Sequence, residues 1–308
     1  MYTNNKDIPL ALQVMLATDN YEYNSDPKTI SVTSILRPLR SLVLKSSQRS
    51  EPVKDISMNI ASVVGTAIHN ALEEAWESPE EALETLGITD FDKHIVLTEI
   101  RSERVIAGWT VSGKFDICID GQVQDLKNVN CYAYSKLENR EKFILQLSIY
   151  KWLNPKDISD DFGVILYHHP DWTSLGKVKQ PDSYPPAKMH GEKVLLLSSS
   201  EVETYLTKRL GALTAIKEGS THLPECTPQE LWQRDTIYKY YKNPLKKGKS
   251  TRTSTSSALV YDAYTKDFCV GEVVEIKGKV MACNYCDVSN CCSQKDTIEK
   301  AGLLAELS

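Results

Sequence analysis

One short stretch, residues 113–127, constrains the fold of this chain more than any other. Within it, Asp120 and Gly121 separate two runs in which apolar and polar residues alternate. An Asp-Gly pair between two such runs is a strong signal for a two-residue β-hairpin turn. A turn of that length fixes the register of the hairpin, because it pairs Ile119 directly with Gln122.

The predicted register brings two carboxylates together. It places Asp116 opposite Asp125 and Lys114 opposite Lys127, and it turns three apolar residues to the other face, where they can enter a core: Phe115, Ile117 and Leu126. Like charges directly opposite each other, with Cβ atoms about 5 Å apart, destabilise a sheet. A divalent cation such as Mg²⁺ or Mn²⁺ would stabilise the pair, because hard carboxylate oxygens suit these ions. The alternative is an exposed sheet face with scattered charges.

The remaining patterns predict an α/β protein. Helical periodicity or capping favours helices over Ser31–Leu44, Met58–Trp76, Pro79–Leu86, Glu141–Leu153 and Glu201–Lys217. Short alternating or apolar runs favour strands over Ile95–Ile100, Val105–Val111, Lys114–Ile119, Gln122–Leu126, Phe162–Tyr167 and Val194–Leu197. We therefore expect a loosely held lead-in over 1–28, an α/β core over 29–217 and a cysteine-bearing extension over 218–308.

Composition limits the class of protein. Of 308 residues, 41% are apolar and 25% are charged, which is ordinary globular usage and excludes collagen-like and wholly disordered chains. No apolar run approaches the roughly 18 residues of a membrane helix. Residues 1–9 lack the apolar region of a secretion signal, so we expect a cytoplasmic protein. The net charge of −5 argues against a uniformly basic nucleic-acid coat, but a local basic track remains compatible with it.

Motif residues occur in four segments of the expected core. They are Gly65-x3-His69-x3-Glu73, then Asp116, then Asp125-Leu126-Lys127, and finally Gln146-x3-Tyr150. In this order they resemble the PD-(D/E)XK nuclease superfamily and, within it, the RecB-like exonuclease branch. The segment that begins Leu223-Pro-Glu-Cys226, together with the late cysteines, is similar to phage-encoded and CRISPR-associated members of that branch. The resemblance implies a restriction-endonuclease-like core, a central mixed sheet flanked by helices, with a C-terminal cysteine-bearing extension.

The resemblance also implies an activity and the residues for it. It implies a DNA exonuclease that depends on Mg²⁺ or Mn²⁺ and serves phage DNA processing or recombination in the host cytoplasm, with phage or host recombination proteins as further partners. Asp116 and Asp125 would hold the metal, and the backbone carbonyl of Leu126 would join them. Lys127 would orient the attacking water or neutralise developing charge. His69 would complete the metal shell.

Three further positions have two interpretations each. Glu73 shares a helix face with His69 and is either a metal ligand or an ordinary solvated acid. Gln146 would form hydrogen bonds near Lys127 or near the scissile strand. Tyr150, one turn later, would either contact DNA or serve as a core aromatic residue.

The late cysteines have the spacing of a metal site. Cys283, Cys286 and Cys292 form a C-x2-C-x5-C pattern, and Cys226 is the preferred fourth ligand. Cys291 competes with Cys292 for the third position. Spacing does not separate Zn²⁺ from a [4Fe–4S] cluster, since both accept four thiolates. The alternative is a group of reduced thiols without metal.

RecB-like and CRISPR-associated members of the family often hold a [4Fe–4S] cluster, with one cysteine ahead of the nuclease core and three after it. The corresponding segment here, Ser34–Arg40, contains none. This difference is the reason for placing all four ligands in the C-terminal extension.

A basic segment precedes the cysteines. No acidic residue occurs between Asp235 and Asp262, whereas Tyr238, Tyr240 and Tyr241 occur there with six cations: Lys239, Lys242, Lys246, Lys247, Lys249 and Arg252. Cations interleaved with aromatic residues can follow a phosphate backbone and stack on unpaired bases. The alternative is a flexible solvated loop, because Ser and Thr fill much of residues 250–257.

Two rival functions belong to other classes. One is a catalytically inactive DNA-binding or inhibitor protein on a nuclease fold. The other is a site- or structure-specific endonuclease. Linear and closed circular DNA substrates would separate an exonuclease from an endonuclease.

Overall fold

A computed structural model describes residues 2–18, 26–48, 53–90, 93–245 and 248–306. The chain divides into two compact units. The first unit comprises residues 1–37 and 53–222, and the second comprises residues 38–52 and 223–308. The division near residue 222 is close to the expected one at 217, but the segment 38–52, which we expected in the nuclease core, belongs to the second unit.

Helices and strands alternate through both units. The α-helices are α1 (Leu10–Ala17), α2 (Val32–Ile35), α3 (Leu39–Ser47), α4 (Ile60–Glu77), α5 (Glu80–Thr85), α6 (Cys131–Tyr134), α7 (Leu137–Leu153), α8 (Ser174–Lys179), α9 (Ser199–Lys217), α10 (Ser257–Lys266) and α11 (Ser293–Lys300). The strands are β1 (Tyr2–Thr3), β2 (Thr29–Ser31), β3 (Lys54–Asp55), β4 (Val96–Thr98), β5 (Arg101–Ile106), β6 (Trp109–Lys114), β7 (Ile117–Ile119), β8 (Gln122–Asn128), β9 (Phe162–His168), β10 (Met189–Leu195), β11 (Ile237–Tyr241), β12 (Arg252–Ser254) and β13 (Glu272–Ile276). None of the described helices is both long and apolar enough to cross a membrane.

The first unit is built on a mixed five-stranded sheet in the order β10-β9-β8-β7-β4. Only β8 and β9 pair in parallel, and the other neighbours are antiparallel. Helices α4 and α7 both pack against β8, and α7 also packs against α9. A smaller sheet, β2-β6-β5, lies in the same unit. The predicted α/β class, with a central mixed sheet and packed helices, is confirmed.

The predicted hairpin turn is confirmed. Asp120 and Gly121 have φ values of 51° and 80°, as a type I′ turn requires, and Ile119 pairs with Gln122. Gly121 is needed for a second reason, because a Cβ at this position would collide with the side chain of Ser159. The three apolar residues expected to face a core are buried: Phe115, Ile117 and Leu126.

The predicted strand Lys114–Ile119 is wrong in one respect that matters for the site. The chain leaves the ladder at Phe115 and Asp116, so that β6 and β7 belong to different sheets. Lys114 therefore pairs with Arg101 on β5 and not with Lys127. The predicted opposition of two lysines does not occur.

Local breakers explain two other differences. The expected helix over Ser31–Leu44 is divided into α2 and α3 at Pro38, whose ring cannot continue a helix. The expected strand Val105–Val111 contains a turn at Ala107 and Gly108, both at positive φ, which separates β5 from β6. The expected lead-in contains α1 and strand β1, which pairs in parallel with β3.

The second unit is built on a three-stranded sheet and three helices, α3, α10 and α11. Its sheet has the order β12-β11-β13, and α10 packs on β11. Tyr240 is fully buried and donates a hydrogen bond from its hydroxyl to the carbonyl oxygen of Val270, at 2.7 Å. A separate cluster of buried side chains consists of Leu231, Val280, Cys283 and Ile298.

Candidate active site

One strand, two helices and one bend of the first unit position the predicted catalytic residues. Strand β8 contains Asp125, Leu126 and Lys127, the bend before β7 contains Asp116, α4 contains His69, and α7 contains Gln146 and Tyr150. Because α4 and α7 both contact β8, residues that are distant in sequence meet beside one strand.

Asp116 reaches the site from its bend and not from the strand ladder. Its Oδ2 accepts a hydrogen bond from the backbone N–H of Leu126, at 2.8 Å, and lies 3.1 Å from Nδ1 of His69. The hydrogen bond to Asp116 raises the pKa of His69, against the opposing effect of burial, and the charges of Asp116 and Asp125 add to the increase. The protonated imidazole is thus favoured next to these two carboxylates.

Asp125 is the buried acid of the site, with 2% of its surface exposed. Burial raises its pKa to about 6, although the positive charge of Lys127 acts in the opposite direction. The ammonium group of Lys127 forms an ion pair with Asp125 Oδ2. Apart from this ion pair, the buried Oδ2 has no hydrogen-bond partner among the described residues.

Gln146 connects the lysine to the tyrosine. Its Oε1 accepts from Nζ of Lys127 at 2.9 Å, and its Nε2 donates to the hydroxyl of Tyr150 at 2.8 Å and to Asp125 Oδ1 at 3.4 Å. Gln146 and Tyr150 are 6% and 3% exposed. With so little surface, the ring of Tyr150 cannot stack on DNA in this structure, which leaves the core role for the ring and the hydrogen bond to Gln146 for the hydroxyl.

The site contains one aromatic contact that the sequence analysis missed. The ring of Phe143 lies with its centroid 5.2 Å from Nζ of Lys127, within the range of a cation–π interaction. Phe143 precedes Gln146 by three residues on α7, so both share a helix face. The spacing of three residues between Phe143 and Gln146 is the sequence feature that could have identified Phe143 as part of the site.

Two other acids differ in their surroundings. Glu73 is half-buried on α4, one turn after His69. Glu99 forms an ion pair with Lys114, and its backbone N–H donates to the carbonyl oxygen of Asp116 at 3.1 Å. Glu99 therefore supports the bend that contains Asp116.

The donor set suits a hard divalent cation. Two carboxylates converge, one of them has a buried oxygen that lacks a hydrogen bond, and a histidine lies beside them. In the described part of the chain, however, no three His, Cys, Asp or Glu side chains are already arranged to hold a metal ion. Here the ring of His69 and the ammonium group of Lys127 lie against the carboxylates, in the positions that a cation would have to take.

The second unit brings the predicted cysteines together. Cys226, Cys283, Cys286 and Cys292 line one cavity of about 30 Å³, but, as at the carboxylate site, no three of these described side chains are already arranged around a metal ion. Burial raises the pKa of Cys226 to about 12 and that of Cys283 to about 11. Cys292 is buried, whereas its neighbour Cys291 is exposed, which favours Cys292 as the member of the group.

Two polar side chains hold the ends of this cysteine group. Arg40, from α3, donates from Nε to Sγ of Cys292 at 3.1 Å. Gln294, from α11, accepts from the backbone N–H of Cys226 at 2.8 Å and donates to its carbonyl oxygen at 2.9 Å. No pattern in the sequence points to Arg40, because 252 positions separate it from Cys292.

The basic segment forms part of a β-hairpin in the second unit. Lys239 lies in β11 and Arg252 in β12, which pair as antiparallel strands. Lys242 is joined to Asp267 by an ion pair of 2.7 Å, and Lys249 is exposed. The predicted contacts of Lys246 and Lys247 lie outside the described residues.

Comparisons with known proteins give weak similarities. No family model and no curated protein matches the chain. Among solved structures, SSO0001 is 19% identical with a TM-score of 0.38, over 65% of this chain and 81% of that one. An alkaline exonuclease from Laribacter hongkongensis is 12% identical with a TM-score of 0.38, over 63% and 91%. A phage-related exonuclease from Haemophilus somnus 129PT is 14% identical with a TM-score of 0.29, over 51% and 71%.

Two of these three solved structures are exonucleases by name. All three TM-scores are below 0.5, so the similarities carry no argument about the activity of this chain.

Proposed function

We propose that this protein is a divalent-metal-dependent deoxyribonuclease, and more specifically an exonuclease of the RecB-like PD-(D/E)XK type. The observation that carries the proposal is the contact network in the first unit. Motif residues from separate segments meet there: His69 contacts Asp116, and Asp125 contacts both Lys127 and Gln146. A catalytically inactive DNA-binding protein would not need a lysine in direct contact with a buried carboxylate.

The roles follow from the contacts. Asp116, Asp125 and the carbonyl of Leu126, with His69, would hold Mg²⁺ or Mn²⁺. When bound, the metal supplies charge stabilisation for the phosphoryl group and acidifies a coordinated water. Glu73, one turn from His69 on α4, would be either a further ligand or a solvated acid.

Lys127 is placed to act on the attacking water or on the developing phosphate charge. Gln146 holds its ammonium group at 2.9 Å, and Phe143 covers it from another side. A fixed cation next to the reacting group is worth far more in a water-poor site than in bulk solvent. Gln146 and Tyr150 therefore act by orienting Lys127.

The test is digestion of end-labelled DNA. Linear single-stranded, linear double-stranded and closed circular DNA are incubated with Mg²⁺ or Mn²⁺, and in parallel with EDTA. An exonuclease degrades the linear substrates only and loses activity with EDTA. Cleavage of closed circles would show an endonuclease, and degradation with EDTA would contradict the metal-dependent site.

We further propose that Cys226, Cys283, Cys286 and Cys292 hold a [4Fe–4S] cluster or Zn²⁺. Their common cavity supports this, and an exposed, scattered set of thiols would not. A brown preparation with a broad visible absorption band would identify iron. A colourless preparation with one zinc per chain would identify zinc. A preparation that contains neither metal would show that the cysteines are reduced thiols without a metal.

The remaining expectations are proposals about context. The hairpin that contains Lys239 and Arg252, with Lys242 and Lys249, would contact the DNA backbone through its exposed cations. Action in phage DNA processing or recombination, in the cytoplasm of a host cell and alongside phage or host recombination proteins, follows only from the resemblance. A salt titration of DNA binding by an Arg252→Gln variant would test the first of these.

A further inference from the structure

The second unit contains a buried cation that the cysteine pattern does not explain. Arg40 is 7% exposed and lies at the start of α3. A guanidinium group keeps its charge at any ordinary pH. Burial of a charge is costly unless an opposite charge or several hydrogen bonds compensate for it.

All three hydrogen bonds of Arg40 end on groups around the cysteine cavity. Nε donates to Sγ of Cys292 at 3.1 Å, Nη1 donates to the carbonyl oxygen of Pro224 at 3.3 Å, and Nη2 donates to the hydroxyl of Ser293 at 2.8 Å. Among the described residues, Arg40 forms no ion pair with a carboxylate. If the cysteines were protonated thiols, all three acceptors would be neutral and the buried charge would have no counterion.

A metal centre with four thiolate ligands would supply that counterion. Four thiolates carry more negative charge than Zn²⁺ or an oxidised [4Fe–4S] core carries positive charge, so the bound centre is an anion. The guanidinium group lies against one of the four sulfur atoms. Hydrogen bonds to ligating sulfurs are a recognised means by which a protein orients a ligand and stabilises the centre.

We propose that Arg40 is a positioning residue for the four-cysteine centre: it orients Cys292 and neutralises part of the negative charge of the bound metal. This inference rests on the proposed metal site. Gln294 performs the matching task for Cys226 through the backbone, because its amide bonds both the N–H and the carbonyl oxygen of that residue. Arg40 thus fixes the sulfur of the last cysteine, and Gln294 fixes the backbone of the first.

The experiment compares metal retention in full-length variants. Arg40→Met removes the charge and the donors at similar length, and Arg40→Lys keeps the charge but loses the planar donor group. Lys45→Met, an exposed cation on the same helix α3, is the matched control. Metal content per chain is measured after purification, and the rate of metal release to an excess of chelator is then followed.

We expect Arg40→Met to release its metal about 10- to 100-fold faster than the wild type, the usual effect of losing a residue that supports a ligand. Arg40→Lys should lie between the two, and Lys45→Met should match the wild type. If the centre contains iron, its reduction potential should also decrease in Arg40→Met, because a nearby positive charge favours the more negative reduced cluster. A residue with a merely structural role would not shift that potential.

The outcomes separate the two proposals. A wild type without metal would overturn the four-cysteine centre and this inference with it. A wild type that retains metal, with equal stoichiometry and release rate in Arg40→Met, would overturn the role of Arg40 alone. If Arg40→Met does not fold, Arg40→Lys decides, because release at the wild-type rate from that variant would show that the donor to Cys292 is not needed.

Discussion

The two sites of this protein are held together in different ways. The carboxylate site of the first unit is built on strand β8 of a five-stranded sheet and on two long helices, and its charged groups already pair with one another. The cysteine site of the second unit is lined by residues from α3, from the segment around Cys226 and from short turns after residue 280. Cys283 is itself part of the small core there.

The difference teaches where each site obtains its stability. Backbone pairing and helix packing hold the first site, so its functional side chains can change without loss of the fold. In the second unit the cysteines replace part of a core, and a bound metal would contribute directly to folding. Substitutions should therefore remove chemistry from the first unit and remove structure from the second.

The largest effect should come from the cysteines. We expect Cys286→Ser to lose the metal and to unfold the second unit early, because binding at structural thiolate sites is worth roughly 10 kcal/mol or more. Metal analysis and calorimetry measure both effects, with exposed Cys269→Ser as the control. Cys291→Ser should behave like the control, and Cys292→Ser should lose the metal. If Cys291→Ser loses the metal and Cys292→Ser keeps it, then Cys291 is the ligand in place of Cys292. An unchanged melting profile in Cys286→Ser would break the comparison.

Catalytic substitutions in the first unit should change activity without unfolding it. Asp116→Asn and Lys127→Ala should each lower kcat/KM by about 10³-fold or more, since each removes several kcal/mol of transition-state stabilisation. Asp116 is paired with His69 and not repelled across a ladder, so we expect no stabilisation of the Asn variant. Asp120→Asn, at the tip of the same hairpin, is the control that should retain activity. Wild-type rates in both catalytic variants would refute the nuclease site.

A smaller effect should separate the two neighbours on α7. Gln146→Leu leaves the Lys127 ammonium and the Tyr150 hydroxyl without their amide partner, which should cost about 1–3 kcal/mol in the free energy of unfolding and reduce kcat more than it changes KM. Tyr150→Phe removes the hydroxyl that accepts from Gln146 and should cost about 1 kcal/mol. Urea unfolding and initial rates measure these effects. An equal loss of activity in both variants would mean that the tyrosine acts on DNA and not through Gln146.

The smallest effect concerns stability at acidic pH. All six histidines lie in the first unit, so we expect their titration to change the stability of that unit. Burial lowers the pKa of His169 and of His190, whose rings stack at 5.3 Å between centroids. As the pH falls through about 6.5, the unfolded chain binds protons that the folded chain does not, so stability decreases toward acid. Urea midpoints between pH 7.5 and 5.5 should decrease less in His190→Phe than in the wild type.

His94 provides a control, because its pKa is shifted in the opposite direction. The hydrogen bond to Asp120 raises the pKa of His94 in the folded protein. The pair therefore adds stability at a pH below the pKa of this histidine in the unfolded chain, and the added stability is lost as the pH rises through the pKa in the folded protein. His94→Gln should therefore lower the midpoint at pH 5.5 more than at pH 7.5. A wild-type pH slope in both histidine variants would show that other groups govern the acid response.

The sequence by itself determined the parts of this protein that depend on local rules. Asp120-Gly121 determined the turn and its register, because a two-residue turn leaves no other pairing. The spacing of Gln146 and Tyr150 places both on one face of a helix. Asp125 and Lys127 are two residues apart in a strand, so their side chains point to the same face of the sheet. The cysteine spacing predicted the grouping of Cys283, Cys286 and Cys292, which line one cavity.

Tertiary structure decided what no local rule contains. The bend at Asp116 arises because β6 and β7 join different sheets, and only that bend turns its carboxylate to His69 and to the N–H of Leu126. The contact of Phe143 with Lys127 and that of Arg40 with Cys292 depend on how helices pack, across separations that periodicity cannot detect. Hydrophobic patterning specifies which face of an element is buried, but it does not specify which residue of another element meets it there.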